Sequence, residues 1–478
     1  MKEKAFIHLF KTIGNFYMYD VNTDRILKIP NNVYRYLETD DYTLLQKNDQ
    51  EYIEILKNCG FLKSNRVEIT EHPDTPYLKY YLRTKINRLI LQVTQNCNLR
   101  CKYCIYSGGY TNRAHNNKKM TWEMAKRSID YLLTHSKEST HLALGFYGGE
   151  PLLEYELVKR CITYIEEKGE GKKLYFNITT NATLLTDEMI QFFEKHSLYL
   201  TISLDGPEEI HDRDRRFNCS GKGSYKVVME KVKLLNDKYP SYYKENVRFN
   251  TVLKTNNSFE CINQFVSCED LVKDNSFSST MVTEDYCKNK EVSSEKDMRR
   301  YFEEYEYENF KRLLKRAGIY NGDGISKLLD LNNYSDDTFN DNMRNYNRTE
   351  LPLKAHHSGP CVPGITSLFV TTEGDLYPCE KISEVSTVAN IGNIYKGINI
   401  EKAKKILNIE KDMEKQCHNC WAYSHCTMCL VQSEAIDEDD FSKEEILKKC
   451  TKIRANVEES FKNYCMYNEM QKNISKNI

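Results

Sequence analysis

Three cysteines fall within eight residues, Cys97-Asn98-Leu99-Arg100-Cys101-Lys102-Tyr103-Cys104, directly after the apolar run Leu89-Ile90-Leu91-Gln92-Val93. The run reads as a buried strand, so the cysteines open the loop at its end. A C-x3-C-x2-C loop there supplies three thiolates to one side of an iron–sulfur cube, a group that normally takes four. The next cysteine is Cys161. One iron is therefore expected to stay open to a small molecule, which points to catalysis. Two plainer readings stand beside this one: half of a zinc site completed by a distant His or Cys, or buried thiols packed as small hydrophobes.

The order of elements argues for an α/β chain. Strand-like runs near 88–94, 142–147, 174–179, 199–204 and 246–253 alternate with amphipathic stretches, as in a parallel sheet covered by helices. Before them, three short strand-like runs (6–10, 16–19, 25–29) precede helical patterns at 31–39 and 50–58. After them come a charged helix around 293–317, an Asn-, Asp- and Tyr-rich mobile loop or linker over 319–350, a cysteine-rich region, and a polar helix from 442 to 463.

Composition excludes several classes. A length of 478 residues predicts two or three domains. Forty per cent hydrophobic and 29% charged residues are ordinary for a soluble globular protein. A net charge of −1 gives no polyanion-binding signature, so nucleic acid is not an expected partner. No run is long enough for a membrane span, and the N-terminus lacks the apolar core of a secretion signal. A cytoplasmic location is expected. There, 17 cysteines read as metal ligands more readily than as disulfides.

The leading cysteine spacing resembles that of the radical S-adenosylmethionine (SAM) enzymes, and further segments carry the resemblance. Tyr103 stands at the aromatic position before the third cysteine. Phe146-Tyr147-Gly148-Gly149-Glu150-Pro151 resembles the family's GGE motif, where backbone and Glu hold the amino group of SAM. Two adjacent glycines let a backbone approach a ligand with no Cβ in the way. Thr179-Thr180-Asn181-Ala182-Thr183 resembles the T-T-N-G-T stretch and puts Asn181 at the cofactor, with Ala182 where Gly is usual. Ser203-Leu204-Asp205-Gly206-Pro207, with His211, Asp212 and Arg215, resembles S-L-D-G-P…H-D…R. It implies that Ser203 and Arg215 touch the ribose or carboxylate of SAM. The plainer reading of that segment is a strand-end turn and a solvated charge cluster.

Seven further cysteines run Cys361-x12-Gly374-x4-Cys379, then Cys417-x2-Cys420-x5-Cys426-x2-Cys429, then Cys450. This resembles the SPASM domain, an extension with two auxiliary 4Fe–4S clusters, although the family has three residues where two separate Cys426 from Cys429. By position, Cys417, Cys420, Cys426 and Cys450 would hold an outer cluster. Cys361, Cys379 and Cys429 would hold an inner one that lacks a protein ligand. The plainer alternative is a zinc ribbon.

The resemblance implies a partial (β/α)6 TIM-like radical SAM barrel at 86–290. A winged-helix-like leader-peptide recognition module precedes it at 1–85, and a helical linker region (291–355) and a SPASM domain (356–478) follow. It implies SAM and three 4Fe–4S clusters as cofactors, and a low-potential donor such as ferredoxin or flavodoxin. The expected activity is thioether formation in a ribosomally made Cys-rich peptide bound through its leader, as in sactipeptide and ranthipeptide maturases. A radical made from SAM takes a hydrogen from a substrate carbon, and a cysteine thiol then bonds to it. Glu380, after Cys379, stands where sulfatase-maturing relatives carry an Asp general base; it also reads as a surface Glu opening a helix. Sulfatase maturation, carbon–carbon cross-linking, epimerisation and a zinc-binding peptide adaptor are the alternatives.

Overall fold

A computed structural model gives the structure of residues 4–106, 109–110, 113–169, 171–282, 287–288, 293–322, 325–329, 350–357, 359, 361–433 and 441–476. The expected linker over 319–350 lies largely outside the described residues.

Successive side chains on a strand face opposite ways, and this decides how the N-terminal sheet is used. Strands β1 (Ile7–Lys11), β2 (Phe16–Asp20) and β3 (Arg25–Ile29) pair antiparallel in that order. Met18 and Ile29 pack on Val33, Ile53 and Leu56 of helices α1 (Asn31–Thr39) and α2 (Lys47–Asn58). Phe10 and Tyr19 turn the other way, their rings 5.9 and 4.7 Å from Phe461 on the C-terminal helix Lys443–Lys476. That helix runs past the expected end at 463. Among the described residues, β3 has one strand neighbour and keeps its other edge open.

The centre is a run of six parallel strands in sequential order: β4 (Arg88–Thr94), β5 (His141–Gly148), β6 (Lys173–Thr180), β7 (Tyr199–Ser203), β8 (Val247–Leu253) and β9 (Ser276–Met281). Helices α3 (Trp122–Thr134), α4 (Tyr155–Lys168), α5 (Asp187–Lys195), α6 (Tyr225–Lys238) and α7 (Phe259–Cys268) lie in the successive crossovers. Their starts are written in the sequence: the hydroxyls of Thr121, Thr186 and Ser258 accept from backbone N–H groups in the first turns of α3, α5 and α7. Sequential parallel order with helical crossovers is the layout of (β/α) units. Leu89, Leu91, Leu144, Phe146, Ile178, Leu200, Ile202 and Phe249 share one face of the sheet and are buried, while the other face of β6 to β8 carries half-buried residues such as Asn177, Thr201 and Asn250.

The sheet continues past β4. Strand β10 (Leu368–Val370) pairs parallel with it, and β11 (Asp375–Tyr377), β12 (Gly392–Asn393) and β13 (Gly397–Ile398) follow antiparallel. The cysteine-rich region is thus joined to the central sheet by backbone hydrogen bonds. Helix α8 (Glu295–Arg316) occupies the expected charged segment. Among the described residues no helix is long and apolar enough to cross a membrane.

Candidate active site

The loops after β4 to β7 gather at one end of the sheet, where parallel strands present their C-terminal ends. Gly148, at φ 137°, and Gly149 run against the cysteine loop. A Cβ at Gly148 would stand 2.0 Å from Thr94 O, and one at Gly149 2.1 Å from Asn96 O. Only glycine permits this approach. The Gly149 and Glu150 N–H groups donate to those same carbonyls, each at 2.9 Å.

Glu150 is 1% exposed and accepts from Thr180 Oγ1 (2.6 Å), Asn181 N–H (2.8 Å) and Leu152 N–H (3.0 Å). Burial raises its pKa above the ordinary carboxyl value, while these donors pull the other way. Asn181 reaches the cysteine loop, its Nδ2 donating to Asn98 Oδ1 at 2.9 Å and lying 3.8 Å from Cys97 Sγ. Asn98 Nδ2 donates to Thr183 Oγ1 at 2.8 Å. Ala182, fully buried, takes φ 59°, the left-handed region that an L-residue enters at a cost.

Tyr103 donates its hydroxyl hydrogen to Asp205. Arg215 grips the same carboxylate, and its guanidinium lies 5.4 Å from the Tyr103 ring centroid. Burial works to raise Asp205, but the Arg215 charge and hydrogen bonds hold it below the usual carboxylate range. Arg215 is therefore a buried partner of Asp205, not part of a solvated cluster. Ser203 ends β7, half-buried, in register with Asn250 of β8. The Arg100 and Lys102 N–H groups donate to the carbonyls of Arg216 and Asp214, tying the cysteine loop to this segment.

A second tie had no signal in the sequence. Glu384 accepts from Gln92 Nε2 (2.6 Å), Gln95 Nε2 (2.9 Å) and Tyr106 OH (3.1 Å), and faces Arg113 Nε at 3.3 Å. Arg113 also donates to the carbonyls of Glu380 and Ile382. This hub fastens the segment after Cys379 to the leading cysteine loop. Tyr147, just before Gly148, lies within electrostatic reach of Arg113, Glu380, Cys104 and Cys379. The Cys379 thiol lies 3.5 Å from Glu380 Oε2, and burial pushes it up to about 12.

Cys97, Cys101 and Cys104 act electrostatically on one another, and burial pushes Cys97 and Cys101 up to about 12. They remain thiols until a metal displaces their protons. Cys417, Cys420, Cys426 and Cys450 come together in the same way, with Cys417 feeling the other three. Cys361 is exposed, Cys379 sits by Glu380, and Cys429 is half-buried after Met428. Among the described residues, no three cysteine sulfurs lie within 4.8 Å of one another. Three thiols of one loop, with a fourth position left open, are the donor chemistry an iron–sulfur cube takes.

Residues 91–266 match the model of the Radical SAM superfamily. The chain carries a radical SAM domain. The chain spans about half the length of the curated relatives it matches. An uncharacterised protein of Methanocaldococcus jannaschii is 33% identical over 182 residues, 38% of this chain and 57% of that protein. The cysteine-type anaerobic sulfatase-maturating enzyme of Clostridium novyi is 29% identical over 176 residues, 36% of this chain and 45% of the enzyme. The radical SAM domain thus has sulfatase maturases among its relatives. The solved structure of anSMEcpe with bound AdoMet matches with TM-score 0.57 at 19% identity, over 82% of this chain and 96% of that one. That likeness establishes the radical SAM α/β fold.

Proposed function

We propose that this chain is a radical SAM maturase that installs Cys-to-carbon thioether links in a ribosomally made, Cys-rich precursor peptide. The observation that carries the reading is the tie between two cysteine-bearing segments: Glu384, beyond Cys379, accepts from Gln92, Gln95 and Tyr106 around the leading cysteine loop, and Arg113 donates to the Glu380 carbonyl. A substrate thiol and a substrate carbon can meet between these segments.

Cys97, Cys101 and Cys104 would hold a SAM-binding 4Fe–4S cluster; Cys361, Cys379, Cys417, Cys420, Cys426, Cys429 and Cys450 would hold two auxiliary clusters. When bound, these groups and SAM supply a carbon radical able to take hydrogen from an unactivated C–H bond, and a sink for the electron left over. The chain's own residues do the positioning. Gly148 and Gly149 let the backbone close on the loop that leads into Cys97, which would set the SAM amino group beside Glu150, and Asn181 ties that motif to the cysteine loop. Tyr103 and Arg215 meet on Asp205, two residues after Ser203, and Tyr103, Ser203 and Arg215 would face the ribose or carboxylate of SAM. Tyr106 and Tyr147 exclude water, and the Glu380 carboxylate accepts the thiol proton as the C–S bond forms.

The N-terminal sheet, taken as a recognition module of residues 1–85, would receive the leader as an added strand on β3. Residues 86–290 would form the catalytic barrel, 291–355 a linker region and 356–478 the SPASM domain. A low-potential ferredoxin or flavodoxin would deliver the electron, and the work would be cytoplasmic.

The test is anaerobic reconstitution with iron and sulfide, then mass spectrometry of a Cys-rich peptide encoded beside the gene. A thioether product loses a pair of hydrogens, and its cysteine no longer alkylates. Formylglycine at a cysteine or serine would favour sulfatase maturation, the activity named for some of the curated relatives. Unchanged mass with inverted stereochemistry would mean epimerisation, and hydrogen loss with a free thiol would mean a carbon–carbon link. Colourless, zinc-loaded protein that leaves SAM intact would mean a peptide adaptor.

A further inference from the structure

Away from the sheet mouth, His356, His357 and Glu410 come together where the chain enters the cysteine-rich region and meets the short 3-10 turn Ile409–Met413. One donor atom from each lies within 4.8 Å of the others. The side chains of His356 and Glu410 are fully enclosed, and that of His357 is 4% exposed.

Hydrogen-bond directions fix which ring nitrogens carry the lone pairs. His356 Nδ1 lies 3.1 Å from the carbonyl O of His357. A carbonyl only accepts, so Nδ1 carries the hydrogen. Nε2 then carries the lone pair, lies 3.7 Å from Glu410 Oε2, and has no hydrogen-bond partner. His357 Nε2 faces the Met428 carbonyl at 3.2 Å and is the donor there. Its Nδ1 stands 2.7 Å from the same Oε2. Two imidazole nitrogens with lone pairs thus lie near one carboxylate in an enclosed place. Oε2 also accepts from the His357 backbone N–H at 2.7 Å, and a single proton satisfies its contact with the His357 ring, but His356 Nε2 is left without a partner. Buried polar atoms left in that state call for an ion or a bridging group. The Tyr423 hydroxyl lies beside the same carboxylate, close enough to act on it as a donor.

We propose that His356 Nε2, His357 Nδ1 and the Glu410 carboxylate form a site for one divalent cation of the zinc class. Two imidazoles and a carboxylate are a donor set that zinc takes, and the nitrogen and oxygen ligands set this site apart from every cysteine site in the chain. The cation pins the segment at 356–357 to the turn at 409–413. It also offsets the Glu410 charge that Cys417 and Cys426 feel. The inference is independent of which peptide chemistry the enzyme performs.

The test uses the cluster-loaded full chain, dialysed anaerobically against buffered zinc. Elemental analysis is expected to give about one zinc per chain beside the cluster iron. X-ray absorption at the zinc edge is expected to show nitrogen and oxygen neighbours only. Glu410→Gln should weaken zinc binding at least about tenfold with iron and sulfide content unchanged. Absence of bound zinc, sulfur among its neighbours, or undiminished affinity in E410Q overturns the proposal. Should E410Q fail to fold, the absorption spectrum of the unaltered protein still decides.

Discussion

Arg215 grips Asp205 through two parallel bonds, Nε to Oδ2 at 2.8 Å and Nη2 to Oδ1 at 3.2 Å, and both side chains are more than nine-tenths buried. The same carboxylate accepts from Val252 N–H at 3.0 Å and from the Tyr103 hydroxyl. Strand β8 and the cysteine loop are therefore held through one buried ion pair. Asp205→Asn leaves the guanidinium uncompensated and is expected to cost about 3–5 kcal/mol. Arg215→Lys keeps the charge but loses the fork, so its cost should be smaller yet clear. Denaturant titration measures both, and iron content should fall with them because the pair braces Tyr103 beside Cys104. A neutral D205N would show that the pair braces nothing.

His211 gives the stability a pH dependence of known sign. It is fully buried; Nδ1 accepts from Asp205 N–H at 3.4 Å, and Nε2 lies 3.0 Å from Ser224 Oγ, which donates to Arg215 O. Burial, helped by the Arg215 charge, lowers its pKa to about 3 from an ordinary value of 6.5. Below pH 6.5 the unfolded chain binds a proton that the folded chain refuses. The stability from this group is full above that pH and falls by about 1.4 kcal/mol per pH unit on the way down toward the folded value. His211→Asn removes the term. The stability gap between wild type and H211N should therefore narrow as urea titrations move from about pH 7 to about pH 5. A constant gap would sink the assignment.

Local chemistry explains what was legible in the sequence. Strand β4 was legible as a continuous buried run, and β6 to β8 because buried apolar residues recur at every second position, the period of a strand with one covered face. Cys417, Cys420, Cys426 and Cys450 cluster in space much as they do along the chain. Strand β9 was invisible, since Ser-Phe-Ser-Ser-Thr-Met offers Phe277 as its one large buried residue. Contacts set by tertiary structure were invisible too: Glu384 meets Gln92 across nearly three hundred residues, and Arg113 reaches the carbonyls after Cys379 from a loop without periodicity. Ala182 shows the opposite case, where the family-like motif and its unfavourable residue coexist at φ 59°.

Gly149 admits no side chain. A methyl group there meets Asn96 O at 2.1 Å, a backbone atom in the loop that begins the cysteine motif. Gly149→Ala should therefore displace Cys97, costing about 1–3 kcal/mol and most of the iron at the leading site. Gly14→Ala is the control, with its nearest atom 4.0 Å from the added carbon. Iron content and denaturation midpoints measure both, and full iron in G149A would refute the claim that this approach positions the ligands.

Cys417 sits among Cys426, Cys450 and Cys420 but far along the chain from the leading trio. If these four hold an auxiliary cluster, Cys417→Ala should leave SAM cleavage in place and stop the peptide product. Cys101→Ala should stop both. Deoxyadenosine and modified peptide, counted in the same reactions, separate the two. Full product from the C417A protein would argue that this centre is dispensable.

Glu384 couples the two halves of the site. It accepts from Gln92, Gln95 and Tyr106 on the leading side, while Arg113 binds it and the carbonyls of Glu380 and Ile382 on the other. Glu384→Gln puts an amide donor among donors and removes the carboxylate charge that faces Arg113, so the segment carrying Cys379 and Glu380 is held less firmly. A shift of about an ångström in a reacting group can cost on the order of a hundredfold in rate. SAM cleavage should persist in E384Q, because the leading cysteines keep their own ties to Arg216, Asp214 and Asn181. Product per deoxyadenosine should fall at least about tenfold. An equal fall in both would place Glu384 at the SAM site instead, and no fall in either would reduce the hub to packing.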